Sequence, residues 1–516
     1  MTGQACGPVH QSRLRLAQDD HTQDDRAQDQ SVRRLSVVYT AFALAFMCAG
    51  CGGAHQVSST QINNVPISFA MTAASATPPV GVSILSFELT LSGAQLEPGN
   101  VALLASPVTV ELARLQAEVS LLASTTVPQG NYTGISLTFA NPMVTFENNT
   151  AATIVIGGVS CAAGQVCTAQ PPAINLAGTV NFPSTGIALA ANVPSAVLLN
   201  LNLATALSNT FQGNFTAGAT VSELASTPAG APFTDFGDVV GVITAKNTVN
   251  NSLVLQTSLG SETVFVNSAT VFANFPTSLC TSAAFACIVP NQIVSLDINL
   301  QSDSSLLATK VLFEDADISH PEIEGIVVAT AGLTPPSQFS MVVTRETPSL
   351  PGISVGSVVG VEFSSLPLTV FDVDNIGASV ATSAFSFQGI QDLMIGQEVQ
   401  VQQLSNSTNI LEDAGRVRLR SSRITANVSL VAAPEFTLGN ATLPSFLMSA
   451  GISQIRVITL GAPAPTAYTE FAGNAANISQ IIVGNSVSIR AQLFKNGPLV
   501  SGVQPAVSVA TRVVKH

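Results

Sequence analysis

"LSFELTLS", residues 85–92, sets Leu85, Phe87, Leu89 and Leu91 against Ser86, Glu88, Thr90 and Ser92. In an extended chain successive side chains point to opposite faces, so the stretch predicts a strand with one buried and one wet face. "ISLTF" (135–139) and "VLLNLNL" (197–203) carry the same period. Only a short helix is predicted, near 111–121. A period of two along the chain, punctuated by turn residues, predicts an all-β protein of antiparallel sheet, as sandwich or barrel.

The chain has 516 residues, enough for three or four domains. Hydrophobic residues make up 46%, so core-forming capacity is ample. Charged residues are only 9%, against roughly 25% in ordinary soluble proteins. Ser, Thr, Asn, Gln and Gly must therefore cover the surface. The formal charge is −13, and residues 1–50 hold five Arg and five Asp, so the acidic excess lies beyond them. An acidic chain without a basic patch is a poor partner for phosphate backbones, and no nucleic-acid binding is expected.

The N-terminal 31 residues are polar. Arg33 and Arg34 follow, then a 16-residue apolar run, Leu35 to Gly50, and Cys51. Sixteen residues are short for a membrane span, which needs about 20. A basic pair, a short apolar run and small residues before a cleavage point read as an export signal. Cys48 and Cys51 have no second Cys/His pair nearby at zinc spacing, which disfavours a metal pair. Ala49-Gly50-Cys51 resembles the lipobox of bacterial lipoproteins, with Cys48 where that family usually has Leu. The resemblance implies cleavage before Cys51, lipid attachment to its thiol, and a membrane-anchored envelope location. Gly52 rather than Asp resembles outer-membrane sorting. The polar stretch before the basic pair is long for a signal peptide, so Val32 is the expected true first residue. Residues 51–64 read as a polar tether.

The block 65–207 resembles an uncharacterised family of bacterial lipoprotein domains. The resemblance rests on Val110-Glu111-Leu112-Ala113-Arg114-Leu115-Gln116 and Val127-Pro128-Gln129-Gly130-Asn131-Tyr132. It implies a prealbumin-like β-sandwich and brings no catalytic residues. Residues 208–231, rich in Thr, Gly, Ala and Ser, read as a linker.

Beyond the linker four motifs recur three times in the same order. Gly241-Val242-Ile243, Gly325-Ile326-Val327 and Asn427-Val428-Ser429 open each unit. Thr270/Phe272, Thr369/Phe371 and Thr469/Phe471 follow as Thr-x-Phe. "PNQIVSL" (290–296), "IGQEVQV" (395–401) and "VGNSVSI" (483–489) form a turn and strand. Ala308-Thr309-Lys310-Val311, Ala414-Gly415-Arg416-Val417 and Ala510-Thr511-Arg512-Val513 close. The expected units are 232–317, 318–423 and 424–516. They resemble a second uncharacterised bacterial family, which implies three small antiparallel β-barrels in tandem. Lys310, Arg416 and Arg512 are expected to face solvent and protect a strand edge.

After export, Cys161 with Cys167 and Cys280 with Cys287 are expected to form two local disulfides, with free buried thiols as the alternative. "GISVG" puts Ser354 in a Gly-x-Ser-x-Gly pattern, but it reads as a turn entering a strand, and the only later His is His516. "EDADISH" (314–320) reads as a solvated connector and "DVDN" (372–375) as a turn. Neither has calcium-loop spacing, so no metal, cofactor or catalytic residue is assigned. Trp is absent and Tyr is rare, which disfavours sugar stacking and a transmembrane barrel. The expectation is a non-enzymatic, lipid-anchored binding or scaffolding module with an unidentified protein or polysaccharide partner. The alternative is a carbohydrate- or peptide-binding accessory of a surface system. The sparse charge also predicts a stability that depends weakly on pH.

Overall fold

The structure is a computed structural model. It describes residues 63–516 except 184–185, 227–228, 277, 283, 316–321, 331–337, 348, 364–367, 375, 377–384, 404–413, 440–441, 462–464, 472, 474–475 and 498–500. The lipobox cysteine Cys51, the tether up to residue 62, Asp317 and His320 lie outside the described residues.

The strand Val82–Glu97 that contains LSFELTLS pairs along most of its length with Gly134–Asn148. Phe87, Leu89 and Leu91 enter the N-terminal core as their period demands. Leu85 does not. The pairing register shifts between Ile84 and Ser86, and Leu85 joins the apolar cluster of the C-terminal unit. A bulge re-aims a side chain, so the first residue of the alternating run serves a different core.

Opposite this sheet lies a four-stranded one, in the order Ala219–Leu224, Ser195–Asn202, Asn64–Ala74, Ser120–Pro128. Asn64–Ala74 and Ser195–Asn202 run parallel, so this sheet is mixed rather than purely antiparallel. The expected helix is one 3-10 turn, Arg114–Gln116. Tyr132 donates its hydroxyl to the Pro128 carbonyl at 2.9 Å, which closes the Pro-Gln-Gly-Asn-Tyr turn.

The stretch read as a linker, 208–231, requires correction. Phe211 and Phe215 are buried in the N-terminal core, and Ala219–Leu224 is an edge strand of the four-stranded sheet. Its small polar composition resembles a loop, but two phenylalanines and a strand with Ala219 and Val221 facing the N-terminal core, and Leu224 facing the cluster of the next unit, tie it down.

Three six-stranded sheets follow, all with one strand order: third, second, first, fifth, sixth, fourth. The first sheet begins at Thr234–Asn247 and ends at Leu306–Asp315. The second runs from Glu322–Thr330 to Ala414–Leu419, and the third from Ser421–Ala432 to Ala506–Lys515. In the first and third sheets the third strand also pairs with the sixth, closing a barrel-like ring. In the second sheet the bridge Phe363–Ala414 joins that strand pair.

The repeated motifs acquire physical reasons. Asn291, Gly396 and Gly484 hold positive φ at the turn before the fifth strand, a conformation that glycine, and asparagine among residues with a Cβ, adopt most readily. At Gly241 and Gly325 a Cβ would collide with the carbonyls of Gln256 and Val342. Thr270 and Thr369 each donate to an alanine carbonyl, Ala308 and Ala414, at 2.7 Å. This bond clips the fourth strand to the sixth. In the third unit the donor is Thr466, bonded to Ala510 at 2.7 Å, with Tyr468 paired to Val513. The equivalent motif is therefore Thr466-x-Tyr468, three residues before the expected Thr469/Phe471. Among the described residues no helix is long and apolar enough to cross a membrane.

Candidate functional site

Along each sixth strand the core face repeats while the outer face does not. Val311, Val417 and Val513 are fully buried inside their sheets. The outward positions read Lys310, Leu312 and Glu314 in the first unit, and Arg416, Arg418 and Arg420 in the second. In the third they read Arg512, Val514 and His516. The expectation that Lys310, Arg416 and Arg512 face solvent fails. Arg512 is 4% exposed and pairs with Asp235 of the first unit. Arg416 is half-buried, 3.5 Å from Glu322, and donates to the Glu314 carbonyl at 2.9 Å. Lys310 is half-buried, and burial lowers its pKa against the pull of Asp297 and Asp374. The neighbouring units cover much of the outer face of these strands.

The outer faces meet in a buried cluster of charges drawn from all four parts of the chain. Arg420 is 1% exposed, the largest fully buried side chain among the described residues. It lies 2.6 Å from Asp238 and 3.3 Å from Asp374, and it also bonds Glu314. Arg418 reaches Glu314 at 2.5 Å and Asp372 at 3.1 Å. Arg423, on the first strand of the third unit, pairs with Glu118 at 2.5 Å, Glu398 at 2.5 Å and Asp238 at 2.9 Å. Arg114, on the 3-10 turn of the N-terminal part, reaches Asp238 and Glu398 at 2.8 Å and Glu324 at 2.9 Å.

Asp238 is the centre. It accepts from Arg114, Arg345, Arg420 and Arg423, and from the Ser295 hydroxyl at 2.7 Å. It sits at φ 57, in a register shift between Phe236 and Val239. Asp tolerates the left-handed region better than most residues, and the bulge turns its carboxylate toward the arginines. Gly237 beside it leaves room for the Arg490 guanidinium, which a Cβ would meet.

Burial in low dielectric raises a carboxyl pKa and nearby cations lower it. At Asp238 and Glu324 burial is outweighed by Arg345 and the other arginines, which hold both well below the usual carboxylate range. At Glu398 burial wins over Arg423 and Arg114, with Glu324 adding repulsion, and the carboxyl is pushed up to about 7. Glu322, buried and beside Glu314, is pushed up to about 8.

The two acidic stretches therefore read differently from expectation. Glu314 and Asp315 end a strand rather than a solvated connector, and Glu314 is fully buried between Arg418 and Arg420. Asp372 lies in the strand Val370–Val373, not in a turn. Asp374 follows it, 8% exposed. Among the described residues no three His, Cys, Asp or Glu side chains converge as metal ligands.

Cys161 with Cys167 and Cys280 with Cys287 stand at disulfide distance, with Cα separations of 5.9 and 5.8 Å. Ser354 lies in a turn before the strand Val358–Glu362, its hydroxyl 2.9 Å from that of Ser357. His516 meets a different serine. Its Nε2 lies 2.6 Å from Ser488 Oγ, but Ser488 is buried, also contacts Thr425, and His516 Nδ1 has no hydrogen-bond partner among the described residues. A nucleophile and base without access or an orienting acid do not complete a triad.

One of two cavities borders the charged cluster. The larger, about 370 Å³, lies where the N-terminal part meets the second and third units. Arg114, Arg423, Glu398 and Glu111 line it beside Leu443, Phe446 and Met448. Ser83 fixes one wall by accepting from the Phe446 amide at 3.0 Å. The smaller, about 260 Å³, is lined by Ser86, Thr145, Thr168, Ser354, Ser357 and Glu88 among others.

Residues 240–311 match a family described as "Domain of unknown function (DUF5666)". The match runs from inside the first strand of the first six-stranded sheet into its sixth. No curated protein matches the chain.

The charged cluster was missed from sequence, although a signal was present. In a chain with 9% charged residues, "RVRLR" (416–420) places three arginines at period two around Val417 and Leu419. Such density on one strand face, in a chain this poor in charge, marks a surface that meets charged partners rather than water.

Proposed function

We propose that the chain is a non-enzymatic, lipid-anchored envelope protein, in which a β-sandwich and three small β-barrels form one rigid binding or scaffolding module. Cys51 carries the anchor, and Gly52 directs it to the outer membrane. The observation that carries the reading is the buried charged cluster. It spends the polar side chains of four parts on one another, which suits a module whose parts keep a fixed geometry. A single acyl chain binds membranes only marginally, so the multiple chains of bacterial lipoproteins suit stable anchoring.

The test is metabolic labelling with a fatty-acid analogue, followed by envelope fractionation and cross-linked capture of partners. Wild-type protein should be labelled and sediment with outer membranes, and Cys51→Ala should lose both properties. Equal labelling of the two sinks the anchor. The second reading, a carbohydrate- or peptide-binding accessory, is favoured by the smaller cavity, where five hydroxyls converge beside Glu88. Retention on envelope glycans that Thr168→Val abolishes would support it, and equal retention would remove it.

A further inference from the structure

The larger cavity has charges on one side and an apolar wall on the other. Arg114 and Arg423 supply the positive charge. Asp238, Glu324 and Glu118 hold these guanidiniums from the side away from the cavity and are not among its lining residues. Two carboxylates do line it. Glu111 is committed, since its oxygens accept the amides of Phe87, Ala113 and Arg114. Glu398 is the exchangeable one. It bridges both guanidiniums, at 2.8 Å to Arg114 and 2.5 Å to Arg423, and takes a further bond from the Thr344 hydroxyl at 3.0 Å. Opposite stand Ile84, Leu443, Phe446 and Met448.

We propose that this cavity binds a medium-chain fatty carboxylate. Its headgroup takes the place of the Glu398 carboxylate on Arg114 and Arg423, and its tail lies along Leu443, Phe446 and Met448. The class follows from charge and size. Two guanidiniums repel a cation, and a neutral molecule gains nothing from them. One carboxylate replaces the single negative charge that Glu398 withdraws. The volume, about 370 Å³, is at the low end for ligand sites and suits a short tail.

Exchange is balanced by a proton. When the ligand arrives, Glu398 takes up one proton and becomes a neutral acid. Burial and the neighbouring Glu324 carboxylate already place that titration at about 7. The charged groups facing Glu398 are Arg114 from the 3-10 turn, Arg423 from the third unit and Glu324 from its own sheet. Asp238 stands behind both arginines, and Arg345 behind Glu324. Binding therefore strengthens as pH falls through neutrality.

Calorimetric titration of the full chain with octanoate tests this, with octanol as the uncharged control. Octanoate should bind at pH 6 about tenfold more tightly than at pH 8, with proton uptake measured in two buffers, because binding needs the protonated form of one group. Glu398→Gln should bind with no pH dependence across that range. Met448→Trp fills the apolar end and should lose binding; Met448 is 41% exposed, so the change leaves the charged cluster in place. Circular dichroism checks that both variants are folded. The proposal is overturned by absence of octanoate binding at pH 6, by equal binding of octanol, by unchanged binding in Met448→Trp, or by a pH-independent wild type.

Discussion

The inner and outer faces of the sixth strands obey opposite rules. Inside, Val311, Val417 and Val513 occupy one position with one residue, and Ala308, Ala414 and Ala510 do the same. Outside, Glu314, Arg420 and His516 share a position and have nothing chemical in common. The inner face repeats because each six-stranded sheet solves the same packing problem with the same strand order. The outer face diverges because each unit meets a different neighbour there. Where a repeat varies on a buried surface, the variation encodes who sits next to whom. An ion pair is a selective contact of this kind, since a wrong neighbour leaves a buried charge unpaired.

The sharpest way to break this comparison is to remove Arg420. Arg420→Ala leaves Asp238, Glu314 and Asp374 without a shared cation in a site closed to water. Loss of one partner from such a cluster costs about 3–5 kcal/mol. Denaturant unfolding should show at least that loss, together with looser association of the units by limited proteolysis. A loss below about 1 kcal/mol would mean that the cluster is a surface network, and that core packing alone holds the units.

A smaller effect, shared over the whole cluster, is expected from pH. Asp238 and Glu324 titrate lower in the fold than in the unfolded chain. Their contribution is present above the ordinary carboxylate range and is lost as pH falls through it and on toward the folded values. Glu398 and Glu322 titrate higher, at about 7 and about 8. Their contribution is present below the ordinary carboxylate pKa and is lost as pH rises toward 7 and 8. Stability should therefore peak near about pH 5 and fall on both sides, by several degrees of melting temperature, about 2–4 °C per kcal/mol in chains of 150–250 residues. This replaces the weak dependence expected from sparse charge. Many of the few charges are concentrated in the buried cluster, where burial and neighbouring charges shift their pKa values. A flat profile between pH 3 and 8 would restore the earlier expectation.

The inner half of this comparison was legible in the sequence and the outer half was not. Period-two stretches, the turn residues Asn291, Gly396 and Gly484, and the alanine–valine closing motif are local signals, readable wherever they occur. The strand Ala219–Leu224 was lost because its residues are small and flanked by turn formers, and only a neighbouring strand shows that it is paired. Arg420 is not legible as a buried residue, because a charged residue on a strand is by default solvated and burial of its outer face depends on partners up to 182 residues away. The Thr466 bond was misplaced by three residues because Thr469 and Phe471 offer the same pattern nearby. The two cysteine pairs at disulfide distance sit apart from both faces. Replacing Cys161 or Cys280 with Ser should cost roughly 2 kcal/mol each in the chain-entropy model, less than Arg420→Ala. Absence of an electrophoretic shift on reduction of the wild type would remove both bonds.

The smallest effect belongs to the ion pair that looks most like those of the cluster. Arg456 bonds Glu435 through two nitrogens, at 2.6 and 2.8 Å, a geometry as good as any around Asp238. The difference is water. The Arg456 side chain is 53% exposed and that of Glu435 30%, against 1% for Arg420. Solvent screens the attraction, and either partner left alone is rehydrated at little cost. Arg456→Ala should therefore change unfolding free energy by no more than about 0.5 kcal/mol, with the remainder lost in salt. Measured beside Arg420→Ala, it separates the bond from its surroundings. If the two variants cost the same, pairing geometry governs the arginines of this protein, and the burial of the outer faces contributes nothing of its own.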